Sequence, residues 1–197
     1  MEHLKEILGG IATALALISY VPYLKDVLSG KTKPHAFTWL IWGTLTLVAF
    51  LGQISGNAGP GAWPSGVSVV LCFSIFILSL RSGTREFAKL DFVMLAGAAL
   101  ALFFWFFIKQ PLFSLILVVL TDILGFVPTI RKSWSRPHEE TASAYLLNAV
   151  KHYISLYALR QYSPLTMLYP AYLLVANTLF VSLLWSRRTS LRESAAG

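Results

Sequence analysis

The 197-residue chain has one cysteine, Cys72, and few charges: Asp, Glu, Lys and Arg together make up 13% of it. A single cysteine excludes an internal disulfide and any cysteine-cluster metal site. A soluble domain carries about 25% charged residues, so an ordinary water-soluble fold is excluded as well. Acidic groups are scarcer than basic ones, nine against sixteen, and the net charge is +7. That excess makes no nucleic-acid surface, because the basic residues sit in short breaks between apolar runs and form no binding face. The sequence also lacks an HExxH pair, a glycine-rich phosphate loop and a nucleophile–base pattern, so nothing in it points to an enzyme, a metal site or a cofactor.

Apolar length is what the chain has instead, with 56% hydrophobic residues. Runs of roughly 20 residues, enough to cross a bilayer, fall near 7–27, 35–54, 64–81, 90–108, 112–131, 141–160 and 165–185. They predict an all-α membrane protein with seven transmembrane helices. The first run is read as a retained helix and not a signal peptide. It follows no positive n-region, and its A-x-A match at Ala12 to Ala14 falls inside the run. The breaks carry turn chemistry, as in "SGKTKPH", "SGNAGPGAWP" and "SWSRPHEET". None is long enough for a soluble domain.

Lysine and arginine set the expected orientation. Lys25, Lys31, Lys33, Arg81, Arg85, Lys89, Arg131, Lys132, Arg136, Arg187, Arg188 and Arg192 fall on one side, and Lys5, Lys109 and Arg160 on the other. The positive-inside rule then places the amino end outside and the carboxyl end in the cytoplasm, in the cell membrane. A shift of 106 residues lays "SYVPYLKDVLSGKTKPHAFTWLIWG" over "GFVPTIRKSWSRPHEETASAYLLNA" without a gap. Val21-Pro22 then meets Val127-Pro128, and Ala36 meets Ala142. This internal repeat predicts two parallel three-helix bundles, residues 1–82 and 111–197, joined by a linker helix within 83–110, a 3+1+3 layout.

Three helices, one helix, three helices, with Pro22 and Pro128 on the first helix of each bundle, resembles the SWEET, semiSWEET and PQ-loop transporter clan over the whole chain. Pro22-Tyr23 and Pro128-Thr129 keep that family's proline without the glutamine of its PQ dipeptide. "WLIW" (Trp39 to Trp42) is similar to the WxxW of related vitamin-precursor carriers. The resemblance implies solute binding by an asparagine on the last helix of a bundle. Asn177 stands at that place, and its partner at the 106-residue shift is Leu71.

Polar residues inside the apolar runs are the candidate site. Asn148, Lys151, His152 and Ser155 follow i, i+3, i+4, i+7 and share one helix face. Subtracting 106 maps that face onto Trp42, Leu45, Thr46 and Ala49. Trp42 is expected to stack on a solute, and Thr46, Asn148, His152 and Asn177 to hydrogen-bond it. Asp122, near the middle of the fifth run, is expected to pair with Lys151 on the sequentially adjacent helix, directly or through water, and Asp122 and His152 add the option of proton coupling. The same pair read structurally is a static lock on helix register. Pro22 and Pro128 are read as hinges, with a fixed kink as the alternative. Trp39 is read as a packing or interfacial residue.

The expected function is transport of a small polar organic solute (a sugar, amino acid or vitamin-like compound) by alternating access through a midplane site. The alternative is a seven-helix receptor or trafficking protein that recognises a solute or peptide without moving it. The implied partners are that solute and the bilayer. No nucleic acid is involved, and nothing in the sequence excludes a homo-oligomer.

Overall fold

The structure is a computed structural model, and it describes residues 2–30, 33–82 and 88–196. Lys31 and Arg85, both part of the charge asymmetry, lie outside the described residues, as does the expected start of the linker segment at residue 83. Among the described residues the long elements are seven helices. They are α1 (Glu2–Leu28), α2 (Ala36–Ser55), α3 (Trp63–Ser82), α4 (Lys89–Phe103), α5 (Pro111–Ser135), α6 (Ala142–Tyr157) and α7 (Pro164–Ala196). A 3-10 turn at Gly59–Ala62 leads into α3, a π turn at Phe104–Ile108 continues α4, and a second 3-10 turn at Pro137–Glu139 precedes α6.

Local chemistry explains several boundaries. His35 has extended backbone, and its Nδ1 accepts the Thr38 N–H at 3.4 Å, which satisfies one of the orphan donors at the start of α2. Helices α5 and α7 open on proline, where the missing N–H has no intrahelical partner to lose. Pro22 lies inside α1, Pro128 inside α5 and Pro170 inside α7. Helices α2 and α6 begin at Ala36 and Ala142, which is the repeat's own offset.

Six of these helices are long and apolar enough to cross a membrane: the spans Glu2–Lys25, Ala36–Ser55, Gly59–Arg81, Lys89–Ile108, Pro111–Ser135 and Pro164–Leu191. The chain is an integral membrane protein. Helix α6 departs from the expected run 141–160. It ends at Tyr157 with 16 residues, which cover about 24 Å at 1.5 Å per residue. That is less than the roughly 30 Å of a hydrocarbon core. Asn148, Lys151 and His152 also lower its hydropathy.

The packing order differs from the chain order. Helix α3 packs on both α1 and α2, and α7 packs on both α5 and α6. Helix α1 meets α6, α2 meets α5, and α4 lies on α2 and α5. Neither α1 with α2 nor α5 with α6 makes more than marginal contact. Ile41, Leu45, Val48, Met94, Ala98, Leu115 and Val118 form the main apolar core between α2, α4 and α5. Ile7, Ile18, Phe106, Phe107 and Leu179 remain exposed on the outside, where lipid is the solvent.

The start of α1, the Gly59–Ala62 turn and the end of α6 meet at one end of the molecule, its amino-terminal end. The amino-terminal end is sealed. Arg160 N–H donates to Ala58 O at 2.9 Å and Gly61 N–H to Ala158 O at 3.1 Å. Ser155 Oγ donates to Gly61 O at 2.7 Å. The Arg160 guanidinium meets Glu2 at 2.7 Å and Glu6 at 3.7 Å. At the opposite end, Arg188 donates to Pro137 O and Glu140 O, and Arg187 to Trp134 O, so these bonds brace the last three helices internally.

Gly61 is one of the tightest points of this contact. A Cβ there would sit 2.5 Å from Leu159 Cδ2 and 2.8 Å from Ser155 O. Gly61→Ala should therefore push the 3-10 turn off α6 and lower stability by about 1–3 kcal/mol, the usual cost of overpacking. Thermal unfolding in detergent checks this, and an unchanged midpoint would mean the seal yields freely.

Candidate functional site

A cavity of about 220 Å³ lies inside the helices, and its wall is built from helical stripes. Helix α5 contributes Asp122, Gly125, Phe126 and Thr129, and α6 contributes Tyr145, Asn148, Lys151 and His152. Helix α7 adds Tyr169, Leu173 and Asn177 at intervals of four, while α3 adds Ser65, Ser68 and Cys72. Trp42 and Thr46 come from α2, and Tyr20 from α1. Each set lies on one face of its helix because 3.6 residues make a turn. The bonds between the Gly59–Ala62 turn and α6 lie beyond the wall toward the amino-terminal end. Toward the opposite end the wall continues to Tyr145, within a turn of the start of α6.

Trp42, Thr46, Asp122, Asn148, Lys151, His152 and Asn177, singled out in the sequence from four separate helices, all stand on this wall. Pro22 and Pro128 do not. Trp42 is 41% exposed, and its ring is held edge-on by Trp39, centroids 5.5 Å apart at 86°. Trp39 is buried and donates Nε1–H to the Tyr23 hydroxyl at 3.1 Å, so it is a packing residue that positions Trp42. Asn177 donates its amide N–H to Leu173 O at 2.7 Å, which leaves its side-chain oxygen to accept from a ligand. His152 is 5% exposed, and its Nδ1 is buried without a hydrogen-bond partner.

The expected ion pair does not form by direct contact. No salt bridge joins Asp122 to Lys151 among the described residues, although both are buried, at 7% and 5% exposure. The two helices are consecutive in sequence but are not neighbours, because α7 packs between them. Asp122 lies near Tyr169 and Tyr172, whereas Lys151 lies near Cys72 and His152. Tyr172 faces the carboxylate, yet its hydroxyl closes no hydrogen bond of acceptable geometry. A static register lock by direct contact is absent for the same reason.

Compared with family models, with curated proteins and with solved structures, the chain finds no match in any of the three. No family is identified, and the candidate site rests on its geometry.

Sequence reasoning missed Tyr20, Ser65, Ser68, Cys72, Phe126, Tyr145 and Tyr169. The stripes Ser65–Ser68–Cys72 and Tyr169–Leu173–Asn177 were there to be read at helical spacing. Tyr20 and Phe126 on this wall are 106 residues apart, as are Trp42 and Asn148, and Thr46 and His152. On the third helices the offset slips by one. Cys72, not Leu71, stands on the wall with Asn177, because a one-residue slip turns a helix by about 100°.

Proposed function

We propose that the protein is a membrane transporter that moves a small polar organic solute by alternating access. Helices α1–α3 and α5–α7 act as two parallel bundles joined by α4, and they rock about the cavity between them. Helix α6 crosses as the seventh span, with its polar face shielded by the other helices. The orientation is amino end outside in the cell membrane, from the charge asymmetry. Proton coupling through His152 belongs to the same reading. The observation that carries it is one cavity with buried charged and polar side chains, walled by both sets of three helices and bordered at the amino-terminal end by the bonds between the Gly59–Ala62 turn and α6. Intramembrane ionisable groups mark solute or ion pathways. The equivalent pairs Tyr20 and Phe126, Trp42 and Asn148, and Thr46 and His152 on one wall support an approximate twofold between the bundles. At about 220 Å³, the cavity falls below the roughly 300–1,000 Å³ of drug-sized sites, which favours a small solute.

Gln53 also favours a moving seal. It lies on the α2 face of Trp42, Thr46 and Ala49, between the cavity and the sealed end. Only 1% of it is exposed, and neither amide atom has a partner. A buried unsatisfied polar group costs about 1–3 kcal/mol, a penalty that opening to water would remove. Gln53→Met should raise the thermal midpoint and slow solute entry by favouring the sealed state. A variant less stable than wild type would mean that Gln53 has a bonded role.

The direct test is uptake of labelled solutes by liposomes containing the purified protein. Concentration-dependent, saturable accumulation is expected. Saturable binding without accumulation would instead indicate a receptor.

A further inference from the structure

We infer that the solute is a net-neutral zwitterion with a flat apolar body, of the aromatic amino-acid type, held with its ammonium at Asp122 and its carboxylate at Lys151. The inference rests on the proposed transport site and specifies what occupies it. Its basis is the combination of two opposite charges on one wall, the lack of contact between them, and the rings around them.

A buried charge is normally paired or neutralised by its surroundings. Here Asp122 and Lys151 are both buried in the cavity wall, and neither has a salt-bridge partner among the described residues. Their neighbourhoods differ too, with Tyr169 and Tyr172 near Asp122, and Cys72 and His152 near Lys151. A solute with one charge would satisfy one wall group and strand the other. A neutral sugar would strand both. A zwitterion bridges them, its ammonium and its carboxylate, both on one carbon, each making a charge-assisted hydrogen bond. The remainder of the wall matches the rest of such a molecule. Trp42, Phe126, Tyr145 and Tyr169 present rings, and Trp42 keeps 41% of its surface open with Trp39 supporting it from the side. Offset or edge contacts between rings favour a flat aromatic group over an aliphatic one.

The experiment measures binding to the purified full chain in detergent by isothermal titration, and uptake in liposomes. The probes are the proteinogenic amino acids, the decarboxylated amine and deaminated acid of each aromatic one, and a set of neutral sugars. Wild type should bind an aromatic amino acid, with the amine and the acid each roughly tenfold weaker or worse. Lys151→Met should bind the amine as well as the amino acid, and Asp122→Asn should do the same for the acid. These swaps of preference are not what a merely destabilised protein gives, and the wild-type analogue series holds even if a variant fails to fold. A neutral sugar bound and accumulated, with both variants unaffected, would overturn the zwitterion and leave transport standing. An amino acid bound but never accumulated would leave the zwitterion standing and remove transport. Equal affinity for the amino acid and its single-charge analogues, or no affinity for any amino acid, would overturn the inference.

Discussion

Asp122→Asn and Lys151→Met, made singly, should each fold as stably as wild type or more so, while solute uptake falls to background. The sign follows from the missing contact. If the two side chains were paired, removing one would strand the other in the interior and cost about 3–5 kcal/mol. Here each is buried without a salt bridge, so a neutral side chain of similar size removes a desolvation penalty and strands nothing. The double variant should then be at least as stable as either single one, with roughly additive gains, because the residues share no contact. Thermal unfolding in detergent and uptake in liposomes read the two effects separately. Marked destabilisation by either single variant, rescued in the double, would reveal a pair in solution. Full uptake by the double variant would sink the functional role of both charges.

The second large effect concerns the seal. A disulfide between Gly59→Cys and Arg160→Cys should stop transport under oxidising conditions, and a reductant should restore it. A Cβ built on Gly59 would lie 2.5 Å from Arg160 Cγ, so the two Cβ atoms stand no more than about 4 Å apart, within disulfide range. Gly59 has φ +61°, and a cysteine there pays about 1–2 kcal/mol for left-handed backbone. Closing the long loop between the two positions returns about 2–4 kcal/mol. The lost Arg160 contacts to Glu2 and Glu6 are largely exposed and contribute little. The variant needs Cys72→Ser, which leaves a single thiol pair in the chain. Undiminished uptake by the fully oxidised protein would show that this end stays shut throughout the cycle.

The sequence by itself determined the apolar runs and the faces of the helices within them. Lipid leaves little choice of structure for a run of about 20 apolar residues, and helical spacing fixes which residues share a side. That is why Asn148, Lys151 and His152 on α6, and Trp42 and Thr46 on α2, could be assigned to a polar wall before any contact was known. The same spacing on α3 and α7 was legible but went unread, since serine, cysteine and tyrosine stand out less than charge does.

Only the tertiary structure decided which helices are neighbours. In lipid, helices gain nothing from hiding apolar surface, and close fit of side chains selects the partners, which chain order does not encode. Helix α7 therefore came to lie between α5 and α6, and Asp122 was separated from a lysine only one helix further along the chain. The same packing set the one-residue slip that puts Cys72 on the wall in place of Leu71. It also docked the Gly59–Ala62 turn onto the end of α6, where the missing side chain of Gly61 leaves room for the backbone of Ser155 and Leu159.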